Sequence, residues 1–385
     1  MSKMETKTIQ KISITDMEGF RIGNAQSMEG MTGVTVILFD KENHGGIEIS
    51  GGGPAAREPS LLFPTTADHA LHAIVLSGGS AFGLDASGGV MRYLEERGVG
   101  YHLVKFTIPL VCQSSIFDLG IGRNGIIPDA EMGYQACVNA EGNHPMSGII
   151  GAGTGASVGK LYGIRRGTKS GIGYAAYQYG ELQIAAIAVV NAYGNVYDPK
   201  TGEIVGGVMN EERTGYLDMV EEMKKMAGGL VVKETESLQT AGDEKASDSP
   251  AETEQAGSGE TADRPTEAEQ AGSGEKAGEP AVNLQASILE HANTTLGVIL
   301  TNADFSKGEC CSIAKVAGSA FGRCIAPVGT LADGDTVYAV SIPSGIKVDP
   351  IVAGTLAADV LGEAILDAVK SSRMPDKDFL DKITI

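Results

Sequence analysis

Apolar and polar positions divide this chain into three stretches. Up to about residue 232, short apolar runs alternate with polar turns, a mixed α and β pattern. Val34-Thr35-Val36-Ile37-Leu38-Phe39 reads as a strand, and the alternating Gly46-Ile47-Glu48-Ile49-Ser50 is expected to pair with it. A run at 74–77 ends in Ser77-Gly78-Gly79-Ser80, and residues 81–97 carry Leu84, Gly88, Met91 and Leu94 at helical spacing before Gly98. The run 184–190 is short enough for a buried strand and closes in Asn191-Ala192-Tyr193-Gly194. Residues 210–227 read as a charged helix.

The second stretch has no such pattern. Residues 233–285 are rich in Ser, Gly, Ala and Pro, lack aromatics, and hold 13 acidic against 4 basic side chains. Ordering entropy exceeds what such a composition can bury, so disorder is expected. Glu-Gln-Ala-Gly-Ser-Gly-Glu occurs at 254–260 and at 269–275, the duplication of a tolerated linker. In the third stretch, 295–301 reads as a core strand, 307–324 as a helix, 336–342 as a strand and 355–371 as a helix. Strand, helix, strand, helix with two apolar sheets suggests a layered α/β sandwich. We expect one catalytic domain from 1–232 and 294–385, interrupted by an acidic insert at 233–290.

Composition narrows the class. The chain has 385 residues, 53 of them Gly and none Trp, which suits close-packed layers with tight turns. The net charge of −19 owes −9 to the acidic tract and disfavours nucleic acid as a partner. Five cysteines without framework spacing fit a reducing compartment. There is no apolar signal core at the N-terminus, and no run nears the roughly 18 residues of a membrane span. A soluble cytoplasmic protein, bound to no membrane, is expected.

Candidate chemistry is mostly thin. Gly151 to Lys160 suggests a phosphate loop, but Thr154 stands where a P-loop needs Gly and Leu161 where it needs Ser or Thr. A tight loop carrying Lys160 is the alternative. His69-x-x-His72 and Cys310-Cys311 lack metal-site partners, so no metal or cofactor is expected. Ser77-Gly78-Gly79-Ser80 departs from the Gly-x-Ser-x-Gly elbow, and a turn with Ser80 as helix cap is simpler. Asp333-Gly334-Asp335 has the look of a hairpin turn, yet its two carboxylates could orient an amine and a hydroxyl. Asn293-Thr294 stands where the acidic tract meets a core strand. A cut there would free the amine of Thr294, with an ordinary pKa of about 8, beside its own hydroxyl.

Several segments together resemble the DmpA-like aminopeptidases (L-aminopeptidase/D-esterase and β-peptidyl aminopeptidases) and the related nylon-oligomer hydrolases. They include Ile14 to Ala25, Thr32 to Phe39, Gly51 to Glu58, Val75-Leu-Ser-Gly-Gly-Ser-Ala-Phe-Gly-Leu-Asp-Ala86, Ser114 to Gly120, Gly151 to Lys160, Val190 to Gly194, Asn293-Thr-Thr295 and Asp333-Gly-Asp335. The resemblance implies an αββα sandwich like that of N-terminal-nucleophile hydrolases, with different connectivity. It implies self-cleavage between Asn293 and Thr294 and an aminopeptidase or amidase acting on short peptides or related amides. Thr294 is then the nucleophile, Asn191 the oxyanion donor, Lys160 a site lysine, and Asp333 and Asp335 the paired aspartates. Self-association of the cleaved units, commonly four, is implied too. Phe117 stands where the nylon-oligomer branch has Tyr, and Gly329 where relatives often have His. Some β-peptidyl members carry Ser and Glu in place of the two aspartates. Acyl transfer of the ornithine-acetyltransferase type is a rival, as is an uncleaved, non-enzymatic scaffold.

Overall fold

The computed structural model describes residues 9–228 and 293–385; the expected acidic insert at 233–290 lies outside them. By contacts the chain forms two units, Met1–Glu222 with Gln285–Ile385, and Met223–Leu284. Of the second only 223–228 are described, and they are helical. The sheets, helices and site described below belong to the first unit.

Two sheets carry its core. In chain order their strands are β1 (Ile9–Lys11), β2 (Phe20–Ser27), β3 (Thr32–Phe39), β4 (His44–Ile49), β5 (Ala55–Arg57), β6 (Ala73–Ser77), β7 (Val111–Ser115), β8 (Ile172–Tyr179), β9 (Leu182–Asn191), β10 (Thr294–Ala303) and β11 (Thr336–Ile346). One sheet runs β1-β8-β9-β10-β11-β4, the other β2-β3-β6-β7-β5. The main helices are α1 (Ala86–Glu95), α2 (Ala130–Ala140), α3 (Lys307–Ala317), α4 (Ser319–Cys324) and α5 (Pro350–Lys370).

The continuous apolar runs follow from burial on both faces. Side chains alternate along a strand. In β9, Ala185, Ile187 and Val189 enter the core between the sheets with Leu296, Val298 and Leu300 of β10. There they meet Ile22, Ile37, Ile74 and Leu76 of the second sheet. The intervening Ile184, Ala186, Ala188 and Val190 face the other way, towards Ile313, Ala314, Leu361 and Ala364 of α3 and α5. On the far side of the second sheet, Val34, Val36 and Val75 pack on Val90, Leu94 and Ala136 of α1 and α2. The layers therefore run helix, sheet, sheet, helix: the expected αββα sandwich. Small residues set the spacing. A Cβ at Gly173 would strike the α5 backbone at Ala364 and Ala368.

Several local expectations differ. β4 pairs with β11, because β3 already holds β2 and β6 on its two edges. The helix expected from 81 opens as a 3-10 turn over Ser80–Asp85, and Ser80, at φ 52°, caps nothing. Helix 307–324 divides at Gly318. The last helix begins earlier, at Pro350, where the Asp349 side chain accepts the Ile351 N–H at 2.7 Å. Residues 211–215 form turns and bends and Tyr216 bridges Met209, so among the described residues the helix starts only at 219. Asp333-Gly334-Asp335 is no hairpin: β10 and β11 are parallel, and a parallel pair needs a crossover, here α3 and α4.

Candidate active site

That crossover builds the site. Parallel pairing brings the starts of β10 and β11 side by side, and antiparallel pairing brings the end of β9 to the same edge. Asn191 stands directly opposite Thr294 in the ladder, so their side chains share a face. Asn293 bridges Asp333 in parallel register. The Asn293 N–H donates to the Ala332 carbonyl at 2.8 Å, and the Gly334 N–H donates to the Asn293 carbonyl at 2.7 Å. The Thr294 hydroxyl donates to that same carbonyl at 2.5 Å. One carbonyl, that of the Asn293–Thr294 bond, thus receives two donors. All of this is buried: Asn191 and Asp335 are 0% exposed, and Lys160 and Thr294 4%.

Asn191 is held at both ends of its amide. Its Oδ1 accepts from Lys160 Nζ at 2.7 Å and from the Ser157 N–H at 3.1 Å. Its Nδ2 donates to the Phe117 carbonyl at 2.8 Å, leaving a second hydrogen. Lys160 arrives on the glycine-rich loop, pinned just beyond β9 by Gly159 N–H to Gly194 and Lys160 N–H to Tyr193 carbonyl bonds of 3.1 and 3.0 Å. Gly159 has φ 75° and presses on the backbone of Gly207 and Val208, so a side chain there is excluded twice over. The loop brings backbone close and delivers one amine.

The aspartates differ in their partners. Asp335 Oδ1 accepts the Thr295 N–H at 2.6 Å and Oδ2 the Gly329 N–H at 3.0 Å. Asp333 Oδ2 accepts the N–H and hydroxyl of Thr330 at 2.8 and 2.6 Å. Gly329 supplies an amide from a left-handed turn, φ 66°, which disfavours other residues at this place. Burial, then the charge of Asp333, pushes Asp335 up to about 7 against its amide donors. Burial pulls Lys160 down to about 7, while Asp333 and Asp118 favour its charge.

Reading the sequence missed other members. Asp118 is buried, accepts the Thr32 hydroxyl and the Gly79 N–H at 2.7 Å each, and is pushed up by burial to about 6. A Cβ at Gly78 would overlap that carboxylate, so Ser77-Gly78-Gly79-Ser80 is a docking turn for Asp118. Lys169, also buried, donates to the carbonyls of Gly153, Ala156 and Ser170. The Gly334 amide has no side chain to announce it. The Tyr193 hydroxyl is buried without a hydrogen-bond partner among the described residues. No group of three or more His, Cys, Asp or Glu among the described residues could hold a metal.

The αββα layering defines the class: the fold of N-terminal-nucleophile hydrolases, with different connectivity. The chain belongs to Peptidase family S58, whose sequence model matches residues 13–375, and it is a hydrolase of that family. It is 31% identical to an uncharacterised aminopeptidase of Mycobacterium bovis over 94% of each chain. It is 26% identical to a 6-aminohexanoate-oligomer endohydrolase of Kocuria sp., across 92% of this chain and 85% of that one. The solved L-aminopeptidase D-Ala-esterase/amidase of Ochrobactrum anthropi, described as a new variant of the Ntn hydrolase fold, matches with a TM-score of 0.60 at 16% identity, covering 94% of this chain and 88% of that one. No helix among the described residues is long and apolar enough to cross a membrane.

Proposed function

We propose that this protein cuts itself between Asn293 and Thr294 and then works as an N-terminal-threonine aminopeptidase or amidase on short peptides and related amides. The observation that carries this reading is the Asn293 carbonyl, which accepts both the Thr294 hydroxyl and the Gly334 amide. In the first step Thr294 Oγ bonds to the Asn293 carbonyl carbon, with Gly334 N–H opposing the charge that grows on the oxygen. The C–N bond breaks, the hydroxyl proton passes to the departing nitrogen, and an ester joins Asn293 to Thr294. Water cleaves the ester, leaving a carboxylate on Asn293 and a free amine and hydroxyl on Thr294.

The same atoms then serve turnover. The Thr294 amine takes the proton from its own hydroxyl as the oxygen attacks a substrate amide. Asn191 offers its second Nδ2 hydrogen to the oxyanion. Lys160 and Ser157 occupy Oδ1 and so fix which end of that amide faces the reaction. Asp335 steadies the nucleophile's strand through the Thr295 N–H. The amine product leaves with the proton, and water releases the acyl group from Thr294. The relatives named as an aminopeptidase and an oligomer hydrolase support this substrate class.

A denaturing gel tests the reading. Wild type should give two bands, 1–293 and 294–385, and Thr294→Ala a single band without amidase activity. A small fragment whose N-terminal residue is other than Thr294 overturns it.

A further inference from the structure

We infer that Lys169 is a positioning residue for the oxyanion donor: it holds the Ala156–Ser157 peptide, whose N–H fixes the side-chain amide of Asn191. This rests on the reading above, in which Asn191 serves turnover. Lys169 is only 5% exposed. Its Nζ donates to the Ala156 carbonyl at 2.8 Å, to the Gly153 carbonyl at 3.3 Å and to the Ser170 carbonyl. An ammonium has three hydrogens to give, so three carbonyls match its charged form. Burial pulls its pKa down to about 7, while Asp118 favours the charge and Lys160 opposes it.

The Ala156 carbonyl and the Ser157 N–H are the two ends of one planar peptide. At one end the oxygen accepts Lys169 Nζ and the Ser170 N–H, the latter at 3.0 Å. At the other end the N–H donates to Asn191 Oδ1 at 3.1 Å. A charged donor pulling on the oxygen polarises the amide and strengthens its N–H as a donor. With Oδ1 so held, the free hydrogen on Nδ2 has a fixed direction. The loop has few side chains of its own to hold it. A Cβ at Gly153 would strike the backbone of Gly171 and Ile172, and one at Gly155 would overlap Asp118 and the Met31 carbonyl. Backbone partners therefore set its place, and Ser157 stands opposite Lys169 where 157–158 pairs with 168–169. The proposed self-cleavage uses the Gly334 amide and not Asn191, so the two reactions separate this role from a general need for folding.

The experiment takes Lys169→Met and Lys169→Gln, each alone and with Asn191→Ala, and reads the 294–385 band together with kcat and KM on alanine p-nitroanilide. Each single variant should still give the band, hold KM within about threefold, and lose kcat by about 10- to 100-fold, as a slightly misplaced group costs. In the Asn191→Ala background the same substitutions should change kcat by less than about twofold, because the group they act through is gone. Losses that multiply across the two positions, an unchanged kcat in the single variants, or loss of the band or of folding in both overturn the inference alone. A wild type that neither cleaves itself nor hydrolyses the anilide overturns it together with the functional reading.

Discussion

Along β9, β10 and β11 the middles and the ends are buried alike and differ in everything else. In the middle, Ile187, Val298 and Tyr338 are 0% exposed; at the end, Asn191 and Asp335 are 0% and Thr294 4%. Burying the middle removes apolar surface from water, worth roughly 25 cal/mol per Å². Burying the end takes amides, hydroxyls and charges out of water, which is unfavourable unless each finds a partner. The end is accordingly dense in bonds, with Asn191 held by three groups and Asp335 by two. Even so, burial pulls Lys160 down to about 7 and pushes Asp335 up to about 7, while in the middle the Tyr338 phenol, bonded to the Ser114 hydroxyl, is held neutral by burial that raises its pKa. On the proposed function, apolar packing fills the middle of each strand and the chemistry sits at its end.

The largest effect that sharpens this contrast lies at Asn191. Asn191→Ala removes the side-chain donor and should lower kcat on alanine anilide by about 10²–10³-fold. A kcat within threefold of wild type, measured on folded protein, would remove Asn191 from the reaction. Leu300→Ala tests the other half. Leu300 is fully buried between the sheets, and its truncation should destabilise the fold by about 2–5 kcal/mol. Its kcat per folded molecule should stay within twofold of wild type. An unchanged melting temperature with lost kcat would break the division.

That division bears on what was legible in the chain. The middles are runs of Ala, Val, Ile and Leu, so 184–190 and 295–301 read as buried strands from composition and length. The layered class followed from them. The ends were not legible as a group, because Asn191, Thr294 and Asp335 meet only through register and Lys160 only through the loop pinned beyond β9. Asp333-Gly334-Asp335 looked like a hairpin because local turn chemistry is silent about a partner strand that lies a crossover away. The segment 46–50 was assigned to the wrong neighbour for the same reason: alternation gives a face and no partner. The amides of Gly329 and Gly334 leave no side-chain trace, since every residue but proline has an N–H. Resemblance, rather than spacing, pointed to the residues that register then brought together.

The smallest effect is a change of slope with pH at Asp335. Its carboxylate form accepts the Thr295 and Gly329 amides, and burial beside Asp333 raises its pKa to about 7. The working form therefore accumulates only as pH rises through about 7, and kcat/KM on alanine anilide should fall by up to about tenfold per unit below it. Stability should move the other way. Between about 4, the ordinary range for Asp, and about 7, the folded chain holds a proton that the unfolded chain has released. Asp335 thus lowers stability fully above about 7, and this cost is relieved as pH falls towards about 4. Asp335→Asn has no such group, so the melting temperature of wild type relative to this variant should rise as pH is lowered across the window, while wild-type activity declines. Parallel trends in activity and relative stability, or a flat activity profile between pH about 5 and about 7, would show that the buried charge at the strand end is not what divides it from the strand's middle.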